Sequence, residues 1–358
     1  MPSPTLATPK LTAVLTAEKT LMFAEAGEGG AAVDRFLTHN RAAIARLGAR
    51  LKAQPPRSVT TVARGSSDHA ATFGKYLIET LTGVPTSTAA MSVSSIYAAP
   101  VVAEDSLCIA ISQSGRSPDL LATVEAHRKA GAYVVALVND EASPLAALAD
   151  ELLPLKAGAE KSVAATKSYI TSLAGLAAIA AAWSDDRAVA DGLHLLPEQL
   201  HAAFALDWSA ALPALTAARN LFVIGRGYGF AVAQEAALKL KETCALHAEA
   251  FSSAEVKHGP MAIVNDGFPI LAFATSDSAG DGVRDVAREF AARGAHVLLA
   301  DPTGAQAGTI HLPALTTAAA LEPILQIQSF YRLANSLSVA RGLDPDSPPH
   351  LNKVTKTV

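Results

Sequence analysis

The sequence predicts an α/β protein in which one unit is used twice, each copy a parallel sheet flanked by helices. The first observation is alternation: short apolar or β-branched runs take turns with helical segments along most of the chain. The second is a repeat. Val62-Ala-Arg64-Gly65 returns as Ile224-Gly-Arg226-Gly227, Glu79-Thr80 as Glu242-Thr243, and Ala130-Gly-Ala-Tyr-Val134 as Arg293-Gly-Ala-His-Val297. The offset is 162 residues for the first pair and 163 for the other two. The third is composition, 50% hydrophobic but only 5% aromatic, which suits helices packed on buried parallel strands.

Residues 1–54 read as a helical leader with a break at Glu28-Gly29-Gly30, stopped by Pro55-Pro56. Ser58 to Ala63 is a β-branched strand. Arg64 to Asp68 is a turn leading into a helix from Ala70 to Leu81. Thr86 to Ala89, Leu107 to Ile111, Tyr133 to Val138 and Glu151 to Leu155 are further strands, with a helix from Pro118 to Ala130. Ser168 to Ser184 carries no charge but is slightly short for a membrane span, so a buried helix is expected. The join between the copies falls near Asp185 to Leu212, giving domains at 55–195 and 205–343. In the second copy, Ala233 to Glu242 lacks Gly, Pro and β-branched residues and reads as helix. A long helix from Glu322 to Arg341 precedes a tail, 344–358.

A net charge of −4 leaves no electrostatic footprint for nucleic acid. The N-terminus has no basic segment followed by an apolar run, so a cytoplasmic protein is expected, without a membrane partner. Cys108 and Cys244 form no disulfide framework. No histidine pair has metal-ligand spacing, so no metal is expected; no cofactor is expected either.

Ser112-Gln113-Ser114-Gly-Arg-Ser117-Pro118 follows an apolar strand and opens a helix. Hydroxyls, an amide and free N–H groups at a helix start suit a phosphate dianion. Ser66 and Ser67, on the neighbouring strand's loop, close that cradle from the other side. An ordinary Ser-Gly-Pro turn is the plainer reading of either loop. Around Glu160, small residues including Val163 and Ala164 allow close backbone approach to a ligand. Glu160 either accepts from sugar hydroxyls or sits at the positive end of a helix. Glu235, Lys239 and Glu242 share one helix face, as a solvated charge stripe or as acid–base groups. His247, Glu249, Glu255, Lys257 and His258 gather ionisable groups just past that helix. Gly225-Arg-Gly227-Tyr-Gly229 has its third glycine one residue early for a dinucleotide fingerprint and is read as a tight turn. Thr275 to Ser278, at the matching strand end of the second copy, is a candidate second ligand loop, with Asp277 opposing a phosphate.

Six ordered motifs resemble the double sugar isomerase (SIS) domain family: Arg64-Gly-Ser-Ser67, Ser112-Gln-Ser-Gly, Glu160-x-x-Val163-Ala-x-Thr-Lys167, the helix to Glu242, Lys257-His258-Gly-Pro, and Leu351-x-Lys353-Val-Thr. The family's best-known member is the isomerase half of glucosamine-6-phosphate synthase. The resemblance implies a sugar phosphate held by Ser67, Ser112, Gln113, Ser114 and Ser117, with Glu242 shuttling a proton between sugar carbons 1 and 2. It implies that Lys239 and Glu235 line the same site and that the tail closes over it through Lys353. His258 would open the sugar ring from a partner subunit, in a homodimer with shared active sites.

Arg64 stands where the synthase has Cys, Ala165 where it has Ser, and Ser117-Pro118 where it has Thr-Ala. The Ser-Gly-x-Ser-Pro pattern is more similar to the stand-alone sugar-phosphate deaminases and deglycases of the family, which lack the glutaminase domain. The resemblance thus implies conversion of glucosamine-6-phosphate and water to fructose-6-phosphate and ammonia. Galactosamine-6-phosphate or a glycated amino-acid phosphate is the alternative substrate, and a non-catalytic sugar-phosphate sensor the alternative of another class.

Overall fold

The computed structural model describes residues 15–353; residues 1–14 of the leader and 354–358 of the tail lie outside them. The leader is α1 (Leu21–Gly27) and α2 (Gly29–Ala53), separated only at Glu28. The first copy follows: β1 (Ser58–Val62), α3 (Ser66–Thr82), β2 (Thr86–Thr88), α4 (Ser92–Ser95), β3 (Ser106–Ser112), α5 (Pro118–Lys129), β4 (Tyr133–Val138), α6 (Pro144–Leu148) and β5 (Glu151–Pro154). Next come α7 (Lys167–Ser184), α8 (Arg187–Ala205) and α9 (Leu212–Thr216). The second copy is β6 (Asn220–Gly225), α10 (Tyr228–Cys244), β7 (His247–Ser252), β8 (Pro269–Phe273), α11 (Ser278–Ala292), β9 (His296–Asp301) and β10 (Ile310–Pro313), closed by α12 (Glu322–Ala340).

Both sheets have five strands, all parallel, in the orders β2-β1-β3-β4-β5 and β7-β6-β8-β9-β10. These orders are identical once the repeat is applied, so the duplication read in the sequence is a duplication of topology. The register carries it residue by residue: Thr60 pairs with Cys108, and 162 residues on Phe222 pairs with Ile270. Each chain path reverses direction between its first and third strands. An open parallel sheet leaves a crevice at that point, outside the carboxyl ends of the strands.

The sequence places an uncharged, alanine-rich helix late in the first domain, and the fold uses it as the centre. From Lys167 to Ala181 every residue of α7 is buried. One apolar cluster runs from Phe36 of α2 through Leu173 of α7 to Leu240 of α10 and Phe330 of α12, joining leader, first copy and second copy. No helix among the described residues is long and apolar enough to cross a membrane. The tail is tied down as well. Asp346 accepts from the N–H groups of Leu21 (2.6 Å) and Met22 (2.7 Å), capping the free donors at the start of α1. This brings Leu351 to Lys353 back over the first sheet.

Candidate active site

The crevice between β1 and β3 opens into a cavity of about 360 Å³. Its floor is the loop after β1 and the loop after β3. Gly65 takes φ +55° and ψ −131°, a conformation that strongly favours glycine, and Gly227 repeats it at φ +54° and ψ −128°. The sharp turn starts α3 at Ser66, four residues earlier than the helix read from the sequence, so Ser66 and Ser67 occupy its first turn. Ser117 precedes α5, whose first residue is Pro118. Two helix N-termini therefore converge on Ser66, Ser67, Ser112, Gln113, Ser114 and Ser117, all of which line the cavity. Ser112 Oγ accepts from Gly115 N–H at 2.9 Å, which folds the second loop back on itself.

The opposite wall is α10 of the second copy. Lys239 and Glu242 line the cavity. Lys239 is 1% exposed, and its Nζ donates to Ser66 Oγ (3.0 Å) and Glu242 Oε2 (2.5 Å), with Glu235 Oε1 at 3.3 Å. Burial pulls the Lys239 pKa down, but the two carboxylates outweigh it and raise the pKa well above the ordinary lysine value. The ammonium therefore stays charged. Glu235 is fully buried behind it, accepting from Tyr331 Oη at 3.1 Å and meeting His69 Nδ1 at 3.0 Å. Burial pushes Glu235 up, and Lys239 and His69 more than reverse this, leaving it below the ordinary glutamate value. The stripe is thus no solvated face. It is an ion network between two helices, α3 and α10, one from each copy.

The third side is Val163 and Ala165 with the tail residues Leu351, Asn352 and Lys353. Lys353 Nζ donates to Ser162 O at 2.7 Å and lies 3.4 Å from Glu160 Oε2. Glu160, expected either to meet sugar hydroxyls or to sit at a helix start, has partners within the chain. Its oxygens accept from the N–H groups of Thr166 (2.9 Å) and Ser168 (3.3 Å) and from Ser168 Oγ (2.6 Å), at the start of α7. Glu160 is a buried carboxylate at a helix N-terminus. Ala164 and Glu235 are also buried, and neither is among the residues that line the cavity.

The ionisable cluster read past α10 comes apart in space. His247 and Glu249 lie on the edge strand β7, and Lys257 pairs with Glu289 at 2.7 Å. His258 lines a separate cavity of about 290 Å³ with Arg226, Ser253 and Lys257. Within one chain it does not reach Glu242. Sequence reading missed Arg64, Ile111 and Leu120 as lining residues and His69 as the partner of Glu235. The signal for His69 was its spacing, three residues after Ser66 on one helix.

The second copy's loop after β8 is already occupied. Asp277 accepts from Gly280 N–H (3.1 Å) and Thr275 Oγ1 (2.6 Å), and Glu322 Oε2 accepts from Ser276 N–H at 2.7 Å. Carboxylates of the chain itself take the donors that would hold a second anion.

Compared with known proteins, the SIS domain profile matches residues 54–182 and 214–301. The isomerizing glutamine–fructose-6-phosphate aminotransferase of Symbiobacterium thermophilum is 36% identical over 313 residues, 83% of this chain and 51% of that protein. The chain thus spans about half the length of the curated relatives it matches. Among crystal structures, a candidate phosphosugar isomerase of Silicibacter pomeroyi DSS-3 is 43% identical, with TM-score 0.87 over 91% of this chain and 100% of that one. The C-terminal domain of glucosamine-fructose-6-phosphate aminotransferase from Francisella tularensis is 27% identical, with TM-score 0.82 over 92% and 98%.

Proposed function

The chain belongs to the SIS domain family, and on that premise we propose that it is an amino-sugar phosphate deaminase of the aldose–ketose isomerase type. The reaction is glucosamine-6-phosphate plus water to fructose-6-phosphate plus ammonia. One observation carries this reading: Glu242 and the charged Lys239 face the serine cradle across a single cavity, so a sugar anchored by its phosphate presents its other end to a carboxylate.

Opening the ring exposes an aldehyde at C1 and acidifies the proton on C2. Glu242 removes that proton and returns it to C1 by way of an enolamine. Its Oε2 is held by Lys239, which fixes the carboxylate's direction and leaves Oε1 for the proton. Lys239, kept cationic, and Lys353 at the cavity rim stabilise negative charge as it develops on the sugar oxygen. The C2 imine formed then takes up water and releases ammonia. Ring opening is assigned to His258 of a second copy, which makes the active unit a homodimer with shared sites.

The test is to incubate the purified protein with glucosamine-6-phosphate in the absence of glutamine and assay ammonia and fructose-6-phosphate together. Equal release of both, lost in Glu242→Gln, is the expected result. Fructose-6-phosphate and ammonia both absent at substrate saturation would reject this substrate.

A further inference from the structure

Three cations line the sugar-phosphate cavity, and two of them are committed. Lys239 is held by Glu235, Glu242 and Ser66, and Lys353 by Ser162 O and Glu160. Arg64 is the third. Its Nε (3.0 Å) and Nη2 (2.8 Å) both donate to one oxygen of Asp119, the second residue of α5. Asp119 is 1% exposed, while the Arg64 side chain is 53% exposed. Among the described residues Nη1 donates to no protein atom. The guanidinium is thus strapped across the mouth of the cradle, from the loop after β1 to the start of α5, with one edge facing out.

The charge balance gives that edge a purpose. Each cation at the cavity is matched by a carboxylate, and Glu235 adds another beneath it. The serine hydroxyls offer hydrogen bonds without charge. A phosphate monoester entering as a dianion is held more tightly where a permanently charged donor joins the neutral hydroxyls and N–H groups, and arginine is that residue. We propose that Arg64 is the residue that selects phosphorylated ligands, donating from its unoccupied edge to a phosphate oxygen while Asp119 holds the guanidinium in place. This rests on the sugar-phosphate reading of the cavity. It assigns a binding role to a side chain whose bland alternative is a tether between two loops.

The test is calorimetric titration of the full chain with fructose-6-phosphate and with inorganic phosphate. Wild type, Arg64→Gln, Arg64→Ala and Asp119→Asn are compared, with thermal unfolding as a check on each. The expected result is a Kd raised about tenfold or more for both ligands in the two Arg64 variants, the size of a lost charge-assisted hydrogen bond. Asp119→Asn keeps the cation and the acceptor, so it should weaken binding less than either. Arg64 variants that bind both ligands within twofold of a binding wild type would overturn the proposal and leave Arg64 a tether. A wild type that binds neither ligand would overturn the sugar-phosphate reading itself, and Arg64's role with it.

Discussion

The Nζ of Lys239 lies 2.5 Å from Glu242 Oε2 and shares its charge with Glu235 one turn earlier on α10. A carboxylate so held has one oxygen fixed and one available. Glu242→Gln should therefore lower kcat about 10²–10⁴-fold, the range of a positioned acid–base group, with sugar-phosphate affinity nearly unchanged. Rapid-quench turnover alongside equilibrium titration separates the two quantities. A variant that turns over as wild type does would remove Glu242 from the chemistry.

Glu235 is a structural partner of that network, and pH exposes it. Its pKa in the folded chain lies below the ordinary 4.5 because Lys239 and His69 together outweigh burial. A depressed carboxylate stabilises the fold above the unfolded value and loses that contribution as pH falls through the folded one. Glu235→Gln should destabilise the protein by about 3–5 kcal/mol at pH 7, leaving a buried ammonium short of a partner. In urea unfolding from pH 7 down to pH 3, the gap from wild type should narrow as the medium becomes more acidic than 4.5. A gap constant across that range would contradict the charge assignment.

The sequence carried the duplication and the serine loops because both are local: a strand, a turn and a helix start are written in adjacent residues. What it hid was which partner each charged group takes, near or far along the chain. Glu160 looked equally able to meet a sugar or a helix end, and only the fold brings Thr166 and Ser168 N–H groups onto it. Glu235 could be read as a solvated charge or as an acid–base group because its helix face packs on α3, an element 166 residues away in the His69 contact. β7 was missed because its edge position leaves it only alternate burial, and its polar residues resembled a cluster of ionisable groups.

Gly115 tests the cradle without removing a hydroxyl. It has φ +63°, and a Cβ there would lie 2.4 Å from Ser143 Oγ and 2.9 Å from Val138 Cγ2. Gly115→Ala should destabilise by about 1–3 kcal/mol and raise KM, because the loop must shift to relieve the overlap. Gly83→Ala is the control: φ is +73° but nothing lies within 4 Å, so it should show the backbone strain alone and an unchanged KM. Equal KM effects from both would mean that Gly115 acts through stability only.

Shared sites predict complementation. Glu242→Gln and His258→Ala are each expected to be inactive alone, since His258 lines a different cavity from Glu242 within one chain. Mixed in equal amounts and allowed to exchange subunits, half the dimers are hybrid, and each hybrid holds one intact site. About a quarter of wild-type activity should return by that symmetry argument. Mixtures as inactive as their components, under conditions where exchange is shown by a tagged subunit, would place all catalytic groups in one chain.

The second copy should hold no sugar phosphate. By the 162-residue register, Ala274 stands for Ser112, Ala279 for Ser117, Tyr228 for Ser66 and Gly229 for Ser67, while Ser276 keeps the hydroxyl of Ser114, so of five hydroxyl-bearing cradle positions only two keep a hydroxyl, one of them on a phenol. Tyr228 spends its hydroxyl on Thr80 Oγ1 at 2.9 Å, and the Ser276 N–H is taken by Glu322. Burial raises the Glu322 pKa despite that hydrogen bond; the side chain opposes a dianion by its bulk in either state and by charge when ionised. Titration with fructose-6-phosphate should therefore fit one site per chain, and Glu322→Ala should not add a second, because most of the cradle hydroxyls are missing too. A second saturable site lost on Thr275→Val would show that the duplicated strand end had kept a ligand of its own.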